Sequence, residues 1–278
     1  MNSKIFFISA LLIIALIVFL FVSAPPQLPL KDEESGIRIP IERVFAILEA
    51  ENDAVRSLWT KEIVKAGKKA GLEFDEKWRD ADIEAGPLPA LFLRETAKNL
   101  ERSPIRLSLY LGSDFPIREA NLFEGDQMEK FRQLKTSLQP QFFFVKDTRL
   151  YTAMFSDIAV SEACISCHND HKDSPKSDWK LNDIMGATTW MYPKRTVSLA
   201  ECLAMIKLLR NSYKVAYTRY LQKVLKFKNP PVIGGKWPRD GYYLPNDDEF
   251  YQQATKLSSK NTMQTILDLL DVKKLSNY

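Results

Sequence analysis

The chain has 278 residues, of which 45% are hydrophobic and 27% are charged, a balance typical of a folded globular protein. Its formal net charge of +4 is spread along the sequence instead of gathered in basic tracts, which argues against nucleic acid as a partner. With only three cysteines, the chain cannot depend on a framework of disulfides for its stability.

The amino-terminal region contains an apolar run of membrane-spanning length. Residues 5–22 are apolar apart from Ser9, and about 18 such residues can cross a hydrocarbon core of roughly 30 Å. A small-x-small cleavage site ends at Ala24, but Pro25 would follow the scissile bond, so we favour an uncleaved signal anchor over a cleaved signal peptide. Because Lys4 precedes the run and acidic residues follow it, we predict a single-pass protein of the bacterial inner membrane with its bulk in the periplasm.

Segments with helical periodicity precede and follow a central region of candidate strands. Pro40 suits a first helical turn, and apolar residues then recur at spacings of three, four or seven as far as Gly71, which predicts one long amphipathic helix. Short apolar or alternating runs at residues 106–111, 142–145 and 150–158 predict strands.

The carboxyl-terminal part returns to helical spacing. This pattern begins at Ser198 and stops before Asn229, which two prolines follow, so it predicts a second long helix. Residues 229–246 contain several prolines and glycines and are predicted to be irregular. The chain is predicted to close on a short helix from Asn261 to Val272.

The motif with the most chemical content is Cys-x-x-Cys-His, formed by Cys164, Cys167 and His168. Such a run is found at the attachment site of a covalent haem, in a thioredoxin-like redox pair, or as half of a zinc site. A redox pair is disfavoured because a polar loop is predicted after the motif, and zinc would need a further ligand such as His171 or Cys202. In a haem site the two thiols form thioethers and the imidazole ligates the iron, so we predict one covalent haem c.

The segment ACISCHNDHKDSPKSDWKLNDIMGA, residues 163–187, resembles the haem-attachment segment of the Tll0287-like family of single-haem c-type domains with a PAS-like fold. The resemblance extends from residue 40 to about residue 200. It implies that Cys164 and Cys167 are the thioether sites and that His168 is one axial ligand of the iron. Some members of the family use a cysteine of the N-terminal helix as the second ligand, but no cysteine precedes Cys164 here.

The periodicity and the resemblance together give the predicted architecture. We expect the α+β class, with a PAS-like antiparallel sheet flanked by helices, preceded by a transmembrane helix and a long amphipathic helix, and followed by a helical C-terminal extension. The expected domains are a signal anchor (1–24), a linker (25–39), a PAS-like c-type haem domain (40–197) and the C-terminal helical extension (198–278).

Further residues are candidates for the haem pocket. Trp179 could lie against the porphyrin, and Lys176 and Arg106 could bind its propionates through charge-assisted hydrogen bonds. Met185 is the methionine best placed along the chain to be the sixth iron ligand, although methionine is also a common core residue. His171 is too close in sequence to His168 to reach the opposite face, because three residues span at most roughly 10 Å.

Two functions are compatible with a single exported haem. The chain could be a haem-based sensory or ligand-binding module that responds to redox state or to a small diatomic gas and signals through a protein partner. Alternatively, it could be a membrane-anchored electron-transfer cytochrome c. A sensor needs an open or displaceable iron position, whereas a carrier benefits from two strong axial ligands. No array of acid, base and nucleophile can be assigned, so we do not predict an enzyme.

Overall fold

The computed structural model describes Ile13, Ile14, Leu16 and residues 38–160, 162–238 and 241–275, excepting the side chains of Ala163 and of residues 268–275. The anchor predicted over residues 5–22 lies outside the described residues apart from the three named first. Most of the predicted linker lies outside them too. In the described part of the chain, no helix is long and apolar enough to cross a membrane.

The described chain contains both helices and strands, and its main sheet is antiparallel, which confirms the α+β class. They are β1 (Arg38–Pro40), α1 (Ile41–Leu58), a π-helical segment (Trp59–Lys65), α2 (Ala66–Lys69), β2 (Glu73–Asp75), β3 (Ala85–Pro87), α3 (Pro89–Glu101), β4 (Ser108–Gly112), a 3-10 helix (Glu119–Asn121), α4 (Gly125–Ser137), β5 (Gln141–Val145), β6 (Leu150–Ile158), α5 (Glu162–Asp170), β7 (Ile184–Tyr192), β8 (Thr196–Ser198), α6 (Leu199–Val224) and α7 (Asp247–Leu275).

The predicted amphipathic helix is present from α1 to α2. Its apolar stripe is buried from Ile41 through Ile63, which explains why a helix forms over this spacing. The helix passes through the π-helical segment without a break and ends at Lys69, two residues before Gly71, whose φ of 87° lies in the left-handed region that favours glycine. The prediction of one helix ending near Gly71 is therefore confirmed, although its spacing did not indicate the π-helical segment.

Four strands form an antiparallel sheet in the spatial order β4, β7, β6, β5. The strand predicted over residues 150–158 has these bounds, and the other two predicted strands differ from β4 and β5 by one or two residues. Short strands pair outside the sheet, β1 with β8 antiparallel and β2 with β3 parallel. Strand β7 was not predicted, because it is buried on both faces and so lacks an alternating pattern.

Two apolar cores lie on the two faces of this sheet. Neighbouring residues of β6 point in opposite directions, so Ala153 belongs to the larger core and Met154 to the smaller one. The larger core joins the sheet to α1, α3 and α6, and in it the ring of Trp59 stacks on that of Phe92 with their centroids 4.2 Å apart. The smaller core joins the sheet to α4 through Phe131.

The carboxyl-terminal helices complete the larger core. Helix α6 begins after Ser198, whose hydroxyl accepts a hydrogen bond from the backbone amide of Glu201 at 3.1 Å, and it confirms the second long helix. The short final helix predicted from Asn261 was wrong in its bounds, because α7 already begins at Asp247. Its first turns bury only a narrow stripe, including Phe250 and Ala254, among polar residues.

The described residues from Arg38 onward form one compact unit, in which α7 packs along α1 and α6. The start of α6 coincides with the boundary predicted at residue 198. The division into a haem domain and a C-terminal extension stays a prediction.

Candidate functional site

The Cys-x-x-Cys-His motif lies on the short helix α5. Residues three and four apart share a side of a helix, so Cys164, Cys167 and His168 project from adjoining positions. Cys167 is exposed, while Cys164 and His168 are half-buried. The two thiols and the imidazole can therefore approach one group that lies against this side of the helix.

The position of α5 is fixed by the two central strands of the sheet. Strand β6 ends at Ile158 and β7 begins at Ile184, and these two residues are paired in the sheet. Just beyond the strands, the backbone amide of Ala159 donates to the carbonyl of Asp183 at 2.9 Å, and that of Asn182 donates to the carbonyl of Ala159 at 3.0 Å. The motif segment is thus an insertion whose two ends are held together by the sheet.

Trp179 is held close to the motif helix. The side-chain amide of Asn169 bonds to the backbone of Trp179 twice, accepting from its amide at 2.9 Å and donating to its carbonyl at 3.1 Å. The indole is 5% exposed and packs with Ala159 and Met185, against which Cys164 also lies. Its ring nitrogen is buried and has no hydrogen-bond partner in the described structure.

The structure also brings Lys176 and Met185 to this cluster. The Lys176 ammonium lies 4.8 Å from the centre of the Trp179 ring and forms an ion pair with Asp178. Met185 is buried, and its backbone carbonyl accepts a hydrogen bond from the Ser113 hydroxyl at 2.5 Å. Beside it, a side chain at Gly186 would meet the carbonyl oxygen of Gly112 at 2.5 Å, so glycine lets β4 and β7 approach closely here.

Arg106 is not brought together with the motif. It is exposed and precedes β4 at Ser108, which pairs with Met191. The motif lies beyond the other end of the sheet, where Gly112 pairs with Ala187. The role predicted for Arg106 at a haem propionate therefore has no support from its position and stays a prediction.

His168 is in an environment that keeps its imidazole neutral. Burial lowers its pKa below the ordinary value, the charge of nearby Asp157 raises it in part, and His171 lowers it again. The ring nitrogen Nδ1 is buried without a hydrogen-bond partner among the described residues. A neutral imidazole with an unpartnered nitrogen fits the role of an iron ligand.

The environment of Cys167 counts against a thioredoxin-like redox pair. Partial desolvation by the surrounding protein raises the pKa of its thiol, the carboxylate of Glu76 raises it further, and Lys68 lowers it in part. A catalytic redox cysteine needs a lowered pKa, because the thiolate is the reactive form. Zinc has no support either, since the described residues contain no group of three or more His, Cys, Asp or Glu side chains arranged to hold a metal ion.

Two polar side-chain contacts beside the motif were missed by sequence reasoning. His171 lies 3.2 Å from a carboxylate oxygen of Glu76, which ties the loop after α5 to the segment after β2. Arg56 of α1 donates a hydrogen bond of 2.6 Å to Asp157 at the end of β6. Each pair joins residues far apart along the chain, and no spacing in the sequence signals such a contact.

The donor set fits a c-type haem. Cys164 and Cys167 supply two thiols on one side of a helix, His168 supplies an unpartnered imidazole nitrogen, and Trp179 and Met185 supply buried apolar surface. When bound, a haem would supply one-electron redox chemistry and the binding of small ligands at its iron. These residues would hold and orient it.

A comparison with protein-family models gives one match that covers the motif. The model described as Tll0287-like matches residues 44–193, which is more than half of the chain and includes α5 and the whole four-stranded sheet. No curated protein and no solved structure matches the chain.

Proposed function

This chain belongs to the Tll0287-like family and contains its c-type haem domain, and on that premise we propose that it is a membrane-anchored periplasmic cytochrome that acts as a sensory module. In this proposal one haem c is bound covalently through Cys164 and Cys167. The four-stranded antiparallel sheet with helices on both faces supports a PAS-like arrangement. The module senses redox state or a small diatomic gas, signals through a protein partner, and is not an enzyme.

One observation carries the proposal. Cys164, Cys167 and His168 share one side of α5, and His168 keeps a buried nitrogen without a partner among the described residues. Both thiols are at least partly accessible. Thioether formation requires accessible thiols, and iron ligation requires a neutral imidazole.

A sensory role is favoured by the contact between the motif region and α1. Arg56 of α1 is ion-paired with Asp157, and the charge of Asp157 also acts on the imidazole of His168. Helix α1 follows the predicted anchor and linker in sequence. A change of charge at the haem would therefore act on the helix that is nearest in sequence to the membrane.

The alternative is a membrane-anchored electron carrier. The exposure of Cys167 supports it, because a haem edge attached there would lie close to the surface and to a redox partner. The two functions differ in the sixth ligand of the iron. Met185 is the candidate for that position, and its packing against Trp179 and Ala159 shows that it is also a core residue.

We expect the ferrous protein to bind carbon monoxide rapidly, with a clear shift of the Soret band. The physical reason is that a sensor keeps a vacant or displaceable iron position, whereas a strongly bound sixth ligand blocks it. Absorption spectra of the oxidised and reduced protein, with and without carbon monoxide, measure this directly. A low-spin ferrous protein that refuses carbon monoxide and gains this ability in Met185→Ala would favour the electron carrier.

We expect the full chain to fractionate with membranes and to retain its amino terminus. The apolar run at residues 5–22 is the reason, since a span of this length partitions stably into a bilayer. Amino-terminal sequencing and membrane fractionation measure both properties. Recovery of a soluble periplasmic protein that begins at Pro25 would replace the anchor by a cleaved signal peptide, while leaving the haem assignment intact.

A further inference from the structure

A group of acidic side chains, of which Glu49 is buried, lies between α1 and the end of β6, close to the motif. Glu49 and Asp53 are one helical turn apart on α1, and Asp157 approaches them from β6. The guanidinium of Arg56 lies among them and is committed to Asp157, to which it donates at 2.6 Å. Three carboxylates facing one guanidinium carry excess negative charge if all are ionised, so the group favours holding a proton.

Glu49 is the most enclosed carboxylate of the three. It is 5% exposed, and its Oε2 accepts a hydrogen bond of 2.6 Å from the indole nitrogen of Trp190 and a longer one from Asn52. Burial, and then the charge of Asp53, raise its pKa to about 8, while the bond from Trp190 lowers it in part. Its carboxyl group therefore gains or loses a proton near neutral pH.

Side chains of four elements surround Glu49. Asp53 and Arg56 face it from α1, Asp157 from β6, Trp190 from β7, and Tyr213 from α6. The Tyr213 hydroxyl donates to Asn52 at 3.2 Å, and burial keeps its pKa well above the ordinary value, so Tyr213 stays neutral.

Helix α7 packs against α1 on another side, where its polar contacts are with Glu51 and the carbonyl of Ala50. The charges that act on Glu49 therefore come from its own helix and from β6.

Asp53 gives this group access to protons from solvent, and Asp157 couples it electrostatically to the motif. Asp53 is exposed, and it lies one turn from Glu49 along α1. On the inner side, the charge of Asp157 acts both on Glu49 and on the imidazole of His168. Asp157 thus links the proton-binding carboxylate electrostatically to the proposed iron ligand.

We propose that Glu49 is a proton-binding site coupled to the oxidation state of the haem, so that it takes up one proton from solvent when the iron gains one electron. This inference rests on the proposed function. The electron comes from an external one-electron donor and stays on the iron, and the proton forms an O–H bond on the Glu49 carboxyl group. The O–H bond of the solvent molecule that gives the proton breaks in the same step, and the net charge of the protein is unchanged.

The physical cause is electrostatic. A ferric centre carries one more positive charge than a ferrous one, and a nearby positive charge favours the ionised carboxylate. Reduction removes that charge and so favours the protonated form of Glu49. Between the pKa values of the two oxidation states, each pH unit then changes the reduction equilibrium tenfold, which is 59 mV for a one-electron couple.

The test is a redox titration of the full chain carrying its haem, followed by absorption from about pH 6 to about pH 10. We expect the midpoint potential to fall with increasing pH in the wild type and to be flat in Glu49→Gln, which keeps an acceptor for Trp190 but cannot titrate. Glu42→Gln makes the same change on the same helix and should keep the wild-type slope. A redox-linked infrared band of a protonated carboxyl group should be present in the wild type and absent in Glu49→Gln.

A second variant keeps the test decisive if Glu49→Gln does not fold. Trp190→Phe removes the hydrogen bond that lowers the pKa of Glu49, so the pH-dependent region should move to higher pH. A flat wild-type potential, a slope that persists in Glu49→Gln, or an unmoved region in Trp190→Phe would each overturn the inference while leaving the cytochrome assignment standing. A matured protein without covalent haem would overturn both.

Discussion

A double variant with Cys164→Ala and Cys167→Ala is expected to lose all covalently bound haem. In the proposed function two thioethers attach the haem, so removing both sulfur atoms would leave no covalent bond that survives denaturation. The measurement is haem staining on a denaturing gel, together with acid-acetone extraction. Both should be made on protein from an exporting host with a cytochrome c assembly system.

Cys202→Ala is the matched control for this loss. Cys202 is 3% exposed and lies in the larger core on α6, so its removal deletes a thiol without touching the motif helix. This variant should retain as much covalent haem as the wild type. Haem that stays on the double variant after denaturation, or a fully matured wild type without it, would contradict the assignment.

Replacing Arg210 with alanine is expected to lower the free energy of unfolding by about 3 kcal/mol. Arg210 of α6 binds both carboxylate oxygens of Glu51 of α1, through hydrogen bonds of 2.7 and 2.5 Å. The Glu51 side chain is 0% exposed, so loss of the guanidinium leaves a buried charge without its cation. The value is at the lower end of the usual range because the Arg210 side chain keeps 20% exposure. Chemical denaturation measures the change.

Lys214→Ala is the matched control, one turn further along α6. Lys214 joins α6 to α7, through Asp248 at 2.6 Å, but the Asp248 side chain is 74% exposed. An exposed pair of this kind contributes at most about 1 kcal/mol, so the control should lose far less stability than Arg210→Ala. Equal losses in the two variants would show that burial of Glu51 does not govern the effect.

Local patterns were enough to predict several of the elements. The stripe from Ile41 to Gly71 reflects one buried face of a helix, the short apolar run at residues 150–158 predicts a strand, and the structure has both elements. The motif could also be recognised from the sequence, because its chemistry depends on residues that are three and four positions apart. Helix α5, which carries Cys164 and His168, preserves that spacing.

Features that depend on distant contacts could not be read from the sequence. Strand β7 is covered on both faces, so its polar threonines Thr188 and Thr189 are buried and its pattern carries no period. The pair of Arg56 with Asp157 joins α1 to β6, and the bond from Trp190 to Glu49 joins β7 to α1. The proton-binding role inferred for Glu49 arises only from these tertiary contacts.

The pairing of the first described strand with the last one determines how the chain can reach its native state. Strand β1 pairs with β8, and α1 packs against α6 and α7. The contacts of the segment that is synthesised first can therefore form only after the last segments have been synthesised. Contacts of such long sequence separation form slowly. Cys164 and Cys167 are therefore synthesised while the fold is still open, and under the proposed haem attachment this is the stage at which an enzyme would reach both thiols.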